Sequence, residues 1–186
     1  MHVRIASMLA LAAAVALVVA PAGAADPPEK VKQKQEVDKY EKELGAPSEL
    51  AVEPVSKERM SQDALVTGAA VEGDLVAAAS CWVATWKHGK GLWPYNRNVH
   101  HRTYWCGNGN IVTSRSTTDW VSYDPGCGVE WGPRTFRVAG GVGTFSVDVR
   151  SEVGYSCEFV WFNLHDQVWM RIRYNANGNT RAIAWS

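Results

Sequence analysis

Residues 168–174 read Val168-Trp169-Met170-Arg171-Ile172-Arg173-Tyr174, an alternation of core-forming and solvent-facing residue types. Successive side chains of a β-strand point to opposite sides of the sheet, so this period of two predicts a half-buried strand. Val168, Met170, Ile172 and Tyr174 are predicted to face a core, and Trp169, Arg171 and Arg173 are predicted to face outward. Residues 143–153 alternate in the same way, with Phe145, Val147 and Val149 on one side.

Turn signals rich in glycine, asparagine and proline divide the last hundred residues into short segments of this kind. They predict eight strands, at 81–88, 98–106, 110–116, 129–138, 143–153, 156–163, 167–174 and 180–185. Because this region shows no helical period, the fold is predicted to be all-β, an antiparallel β-sandwich or a small jelly-roll-like barrel. Residues 157–162 are predicted to be a central strand, and His165-Asp166 to lie in a hairpin loop.

The chain begins with the features of an export signal. Arg4, an apolar run from Ile5 to Ala20 and the small residues Ala22-Gly23-Ala24 predict a signal peptide over 1–25. The mature protein is then expected to be secreted. The sequence contains no second apolar run of bilayer-spanning length, so no membrane attachment is expected after cleavage.

Residues 26–79 carry twelve acidic and seven basic side chains. They are predicted to be a charged, partly helical leader or linker, with one helix from about Glu29 to Leu44. The domain predicted over 80–186 carries eleven basic and seven acidic side chains, so the two segments are opposite in charge. The leader is either a solvated spacer or a segment that docks weakly on the oppositely charged domain. The docking is expected to be weak because surface ion pairs contribute only about 0–1 kcal/mol each.

The whole chain of 186 residues balances 19 basic against 19 acidic side chains, is 46% apolar and contains nine tryptophans. This apolar and aromatic content excludes an intrinsically disordered protein. A net charge of zero gives no support to a dedicated nucleic-acid binder.

The four cysteines are expected to form two disulfides, as in other small exported domains. Cys81 and Cys106 are centred on the predicted turn at Trp93-Pro94, and Cys127 and Cys157 on Val142, beside another predicted turn. Three pairings are formally open, and this hairpin symmetry favours Cys81–Cys106 with Cys127–Cys157. No structural metal site is expected, because adjacent cysteines are at least 21 residues apart.

The candidates for catalysis are four histidines and four aspartates, namely His88, His100, His101, His165, Asp119, Asp124, Asp148 and Asp166. No local signature of a nucleophile elbow or a zinc protease accompanies them, so no catalytic residue and no cofactor is assigned. On a strand, His100 and His101 point to opposite faces and do not ligate one metal together. An extracytoplasmic hydrolase stays open, because triads assemble from residues distant in sequence.

Aromatic and arginine side chains supply the candidate ligand-binding residues. Loop aromatics beside polar donors suit stacking on sugar rings, which selects Trp93, Tyr95, Asn96, Trp120 and Tyr123; alternatively, these rings plug the ends of the sandwich. A second candidate surface is formed by Trp169, Arg171 and Arg173, because the guanidinium fork pairs with phosphate or carboxylate. Arginine stems covering a solvated strand face would give the same pattern.

Several motifs resemble those of small secreted proteins from high-GC Gram-positive bacteria. They are Trp86-Lys87-His88-Gly89, Tyr104-Trp105-Cys106-Gly107-Asn108-Gly109 and Cys127-Gly128-Val129-Glu130-Trp131. The resemblance covers about residues 81–186, implies a disulfide-containing β-sandwich and supplies no catalytic residues. A fainter likeness to lactococcin-972-type bacteriocins rests on Trp86-x-His88-Gly89 and His100-His101.

The sequence therefore predicts a secreted, non-enzymatic protein that binds an extracellular polymer. A polysaccharide or cell-wall glycan is the first expectation and an anionic polymer the second. A bacteriocin-like or toxin-like effector and an extracytoplasmic hydrolase are the alternatives from other classes.

Overall fold

A computed structural model describes residues 45–74, 80–160 and 162–186. The predicted signal peptide and the predicted helix at 29–44 lie outside these residues. The described residues form one helix, α1 (Lys57–Thr67), and nine strands. The strands are β1 (Ser48–Val55), β2 (Val71–Gly73), β3 (Ser80–Lys90), β4 (Arg97–Gly107), β5 (Val112–Tyr123), β6 (Cys127–Gly140), β7 (Ser146–Phe159), β8 (Phe162–Asn175) and β9 (Thr180–Trp185).

The strands form two antiparallel sheets, which confirms the predicted all-β sandwich. Sheet A has the order β1-β3-β4-β5-β2, and sheet B has the order β6-β7-β8-β9. From β3 onward, consecutive strands are neighbours except at Asp124–Gly126, where the chain passes from sheet A to sheet B. The short turns between the other strands explain why these are simple hairpins.

The core lies between the two sheets and is built from the alternating residues of their inner faces. On β8, the four residues predicted to face inward, Val168, Met170, Ile172 and Tyr174, are fully buried. They pack with Val147, Val149, Val153 and Tyr155 of β7 against sheet A residues that include Trp86, Val99 and Trp105. Burial of each such side chain contributes roughly 1.5–3 kcal/mol, so this interface holds the sheets together.

Both predicted disulfides are present, and no described cysteine is free. Cys81 and Cys106 are directly opposite each other on β3 and β4, and Cys127 and Cys157 on β6 and β7. Each disulfide therefore ties two neighbouring strands of one sheet. Two structural disulfides indicate an oxidising, extracellular environment.

Part of the segment predicted as leader belongs to the sandwich. Strand β1 pairs with β3, strand β2 pairs with β5, and α1 connects these two opposite edges of sheet A. Helix α1 begins at its N-cap Ser56, whose hydroxyl accepts from the Arg59 amide at 3.1 Å, and ends at Gly68 in the left-handed conformation, with φ 68°. The sequence predicted that the folded unit begins at residue 80, but it begins well before that residue, since β1 already pairs in sheet A.

Helix α1 covers the Cys81–Cys106 disulfide on the outer side of sheet A. Met60 is fully buried there, with its Sδ 3.5 Å from Cys106 Sγ. The Tyr104 hydroxyl donates to the Asp63 carboxylate. At the other edge, the Arg115 guanidinium donates to both oxygens of Glu72 at 2.8 and 2.9 Å and anchors β2.

The strand boundaries around Gly154 differ from the prediction. Residues 143–153 and 156–163 were expected to be two strands, but a single strand, β7, runs from Ser146 to Phe159. Gly154 lies inside it because the Trp131 indole covers this position, and a Cβ would lie 2.1 Å from Trp131 Nε1. Glycine here permits close packing and does not mark a turn.

The prediction of one central strand over 157–162 is wrong. The chain reverses after Phe159, which pairs with Phe162 as β8 begins. His165 and Asp166 consequently lie within β8 and not in a hairpin loop. Similarly, β5 extends to Tyr123, so Trp120 and Tyr123 are strand residues. Runs that are apolar on both faces do not reveal where a tight hairpin interrupts them.

Candidate functional site

The outer face of sheet A carries an aromatic pair beyond the end of α1. His100 on β4 is directly opposite Trp120 on β5, and their rings stack with centroids 5.1 Å apart and planes inclined by 8°. His100 Nε2 lies 2.9 Å from the Ser122 hydroxyl, which fixes the imidazole. Trp120 is 40% exposed, so it presents a ring of fixed orientation to solvent.

Burial and a neighbouring positive charge favour the neutral form of the stacked imidazole. Burial lowers the pKa of His100, and the positive charge of Lys87, its direct neighbour on β3, lowers it further. A neutral ring packs against an indole without bringing a desolvated charge. We call His100 and Trp120 the aromatic platform.

A polar groove of about 230 Å³ reaches the platform at Lys87, which is directly opposite His100. It runs between the start of β1 and the β3–β4 hairpin and is lined by Gly45, Ala46, Ser48, Lys87, His88, Gly89, Lys90, Gly91, Asn96 and Asn98. Ammonium, amide and hydroxyl groups thus lie in one groove beside a flat ring. Glycine at position 89 permits the close approach of the Asn98 side chain, since a Cβ there would lie 2.0 Å from Asn98 Oδ1.

The predicted loop residues divide into one exposed ring and two structural side chains. Trp93 is 76% exposed. Tyr95 stacks on Phe159, with centroids 4.0 Å apart, and belongs to the small cluster around the Cys127–Cys157 disulfide. Asn96 donates to Asp124 Oδ2 from its main-chain nitrogen at 3.3 Å and from its side-chain Nδ2 at 2.8 Å. Tyr95 is therefore an end plug, as the alternative interpretation held.

Tyr123 does not join the aromatic platform, although it lies only three residues from Trp120. It is directly opposite the buried Arg97, on the inner side of sheet A, whereas Trp120 is on the outer side. Its ring meets that of Tyr155 edge-on at 6.1 Å, and it stays 48% exposed at the end of the sandwich. The structure thus separates the loop and strand aromatics that the sequence grouped together.

Trp169, Arg171 and Arg173 lie on the outer face of sheet B, as predicted. Asp148 Oδ2 accepts from Arg171 Nη2 at 2.5 Å and from Arg173 Nη2 at 2.9 Å, and Asp148 Oδ1 accepts from Arg173 Nε at 2.7 Å. Hydrogen bonds from Arg173, and to a smaller extent from Arg171, hold the pKa of the Asp148 carboxyl below its ordinary value. The Arg150 guanidinium lies 4.2 Å from the Trp169 ring centroid and covers that ring.

A buried cluster between the sheets resembles a hydrolase triad in composition. His101 Nδ1 lies 2.7 Å from Asp119 Oδ1 and 2.5 Å from the Ser151 hydroxyl, and Nε2 lies 2.8 Å from the Thr103 hydroxyl. The sequence singled out His101 and Asp119 but not Ser151, which only the packing of β7 against β4 and β5 brings to them. It also did not single out Thr103, which lies two residues from His101 on the same face of β4.

The hydrogen-bond pattern of this cluster is that of a structural network. Asp119 accepts from His101, from the Ser151 hydroxyl at 2.8 Å and from the Thr135 hydroxyl, while Thr103 occupies His101 Nε2. Ser151 therefore contacts the wrong imidazole nitrogen for a base that is oriented by Asp119. Thr103, His101 and Ser151 are at most 1% exposed, so no substrate reaches these hydroxyls.

The other candidate acids and bases also have structural partners. Asp166 accepts from the buried Arg97 at 2.6 and 3.0 Å and from Lys90 at 3.1 Å. His165 Nδ1 lies 2.5 Å from Glu130 Oε1, and His88 Nε2 lies 2.6 Å from the main-chain oxygen of Ser186. Over the described ranges, no group of three or more His, Cys, Asp or Glu residues is placed to hold a metal ion.

Comparisons with protein-family models, curated proteins and solved structures found no match for the chain. Within the part of the chain that the structure describes, no helix is long and apolar enough to cross a membrane.

Proposed function

We propose that this chain is a secreted, non-enzymatic protein that binds an extracellular polysaccharide through the aromatic platform and the adjoining groove. The observation that carries the proposal is the exposed Trp120 ring, oriented by His100 beside a groove lined with polar donors. Flat aromatic faces pack against the apolar faces of sugar rings, and neighbouring amides and hydroxyls satisfy the sugar hydroxyls. The oxidising environment indicated by the disulfides agrees with the predicted export signal.

The contacts of the platform suit a rigid binding surface. His100 is held by Ser122, and Asn98 Nδ2 donates to the Ser122 main-chain oxygen at 3.4 Å. Binding by side chains that are already ordered costs less conformational entropy than binding by mobile ones. Lys87 and Asn98 then face the groove as donors for ring oxygens and hydroxyls.

Sedimentation with insoluble glycans tests this function. Mature protein is mixed with cellulose, chitin and purified bacterial peptidoglycan, and the fraction bound is measured against protein concentration. We expect retention by at least one glycan. Trp120→Ala is expected to weaken it roughly 30-fold, since a central aromatic contact contributes about 2 kcal/mol or more.

Trp185→Ala is the matched control, because Trp185 is 41% exposed and lies on β9 of the other sheet. Stacking on uncharged sugars is expected to persist at 0.5 M salt, whereas charge-driven retention is screened. Failure of the wild type to bind any of the three glycans, or equal losses in both tryptophan variants, would contradict the proposal. Release of soluble sugar would favour the hydrolase.

A further inference from the structure

The outer face of sheet B places arginines directly opposite one another on neighbouring strands. Arg150 on β7 pairs with Arg171 on β8, and Arg173 on β8 pairs with Arg181 on β9. Like charges in such cross-strand pairs destabilise a sheet. Two of them side by side are therefore a feature that stability alone does not favour.

The carboxylates on this face neutralise only part of the charge. Asp148 is nearly fully buried beneath Arg171 and Arg173, and Glu152 lies 2.9 Å from Arg150 Nε. On β6, Arg134 is directly opposite Glu152. We call Arg134, Arg150, Arg171, Arg173 and Arg181 the arginine face. Its five positive charges exceed by three the two carboxylates, Asp148 and Glu152, that contact or directly oppose them.

Aromatic rings and the buried carboxylate of Asp148 hold four of these five guanidinium groups in place. Arg150 lies 4.2 Å from the Trp169 ring centroid and 5.8 Å from that of Phe136, and Arg134 lies 4.9 Å from that of Trp131. Cation–π contacts of this kind orient the planar fork, whose remaining N–H groups bind oxyanions. Residues two apart on a strand are roughly 7 Å apart and adjacent strands about 5 Å, so the charges form a regular array.

We propose that the arginine face binds an acidic polysaccharide that carries sulfate or carboxylate groups along its length. The excess of three positive charges attracts a polyanion, and the ordered guanidinium forks match its oxyanions. Nucleic acid fits less well, because the guanidinium groups already cover the rings of Trp131 and Trp169 on which bases would stack. This site lies on the opposite sheet from the aromatic platform, so the two proposals stand independently.

Heparin and polygalacturonate serve as the sulfate and carboxylate probes. The double variant Arg171→Gln/Arg181→Gln removes one arginine from each cross-strand pair and leaves Arg173 bonded to Asp148 through both oxygens. The control, Arg59→Gln/Arg102→Gln, removes the same charge from the exposed Arg59 and the half-buried Arg102 near the outer side of sheet A, where each has an acidic partner. Thermal unfolding establishes that both variants are folded.

We expect the wild type to bind immobilised heparin or polygalacturonate, with affinity falling as salt rises. The arginine-face variant is expected to bind at least tenfold more weakly at 0.1 M salt, and the control double variant to bind like the wild type. Equal weakening in both double variants would show an effect of net charge alone and overturn the proposal. Absence of wild-type binding to both probes, or displacement by double-stranded DNA as effective as by free heparin, would also overturn it.

Discussion

Replacing Met60 with alanine tests whether α1 is an integral part of the folded domain. Met60 is fully buried against the Cys81–Cys106 disulfide, together with Val83 and Tyr104. Truncating a buried methionine to alanine costs about 2–5 kcal/mol, from lost burial and from the cavity left behind. At roughly 3 °C per kcal/mol for a domain of this size, the melting temperature should fall by about 6–15 °C.

The assay is urea unfolding of the mature protein, followed by tryptophan fluorescence. The midpoint should fall while the slope of the free energy of unfolding against urea stays unchanged, because the same surface is exposed on unfolding. Leu65→Ala is the matched control, since Leu65 lies on the same helix and is 84% exposed. Its effect should stay within about 0.5 kcal/mol. A Met60→Ala loss equally small would show that α1 does not stabilise the domain and refute the reasoning.

Four further variants probe individual contacts by urea unfolding. Tyr95→Ala should lower stability by about 1.5–3 kcal/mol, because its half-buried ring loses the stack on Phe159 and its contacts in the cluster around the Cys127–Cys157 disulfide. Trp93→Ala, at 76% exposure, should change stability by less than about 0.5 kcal/mol, and similar losses in the two variants would contradict this assignment. Asp119→Ala leaves the donors around it without their acceptor and should cost about 3 kcal/mol or more, and a neutral result would disprove the structural network. Burial lowers the pKa of His88 in the folded protein below its ordinary value of 6.5. As the pH drops below 6.5, His88 is therefore protonated in the unfolded chain before it is protonated in the folded one, and the free energy of unfolding falls. His88→Gln should reduce that fall, and an unchanged pH profile of stability would refute this expectation.

Which side chains of a main strand point to the core and which point outward is a local property, and the sequence predicts it well. On β8, alternation alone separates the buried Met170 and Ile172 from the outward Arg171 and Arg173. Both disulfides were likewise predictable, because the cysteines of each pair are equidistant from one turn. The candidate site was predicted only in part: Trp120 was named, but its stacking partner His100 was considered only as a catalytic residue.

Strand β1 shows why the N-terminal part of the fold could not be predicted. Seven of its eight residues have exposed side chains, so no alternation marks it as a strand. It joins sheet A through main-chain hydrogen bonds to β3, and these form with almost any side chain. The charged composition of this segment therefore predicted a leader, whereas its backbone forms an edge strand of sheet A.

The sequence by itself determined the all-β class, the faces of the main strands and the cysteine pairs, because these depend on alternation and on neighbouring hairpins. Only the tertiary structure decided which aromatics reach solvent, since Trp93 is 76% exposed whereas Tyr95, two residues further on, packs against Phe159. It also decided that His101, Asp119 and Ser151 meet in a buried network. Such contacts join residues from different sheets, and their distance in space is set by packing, which no local pattern encodes.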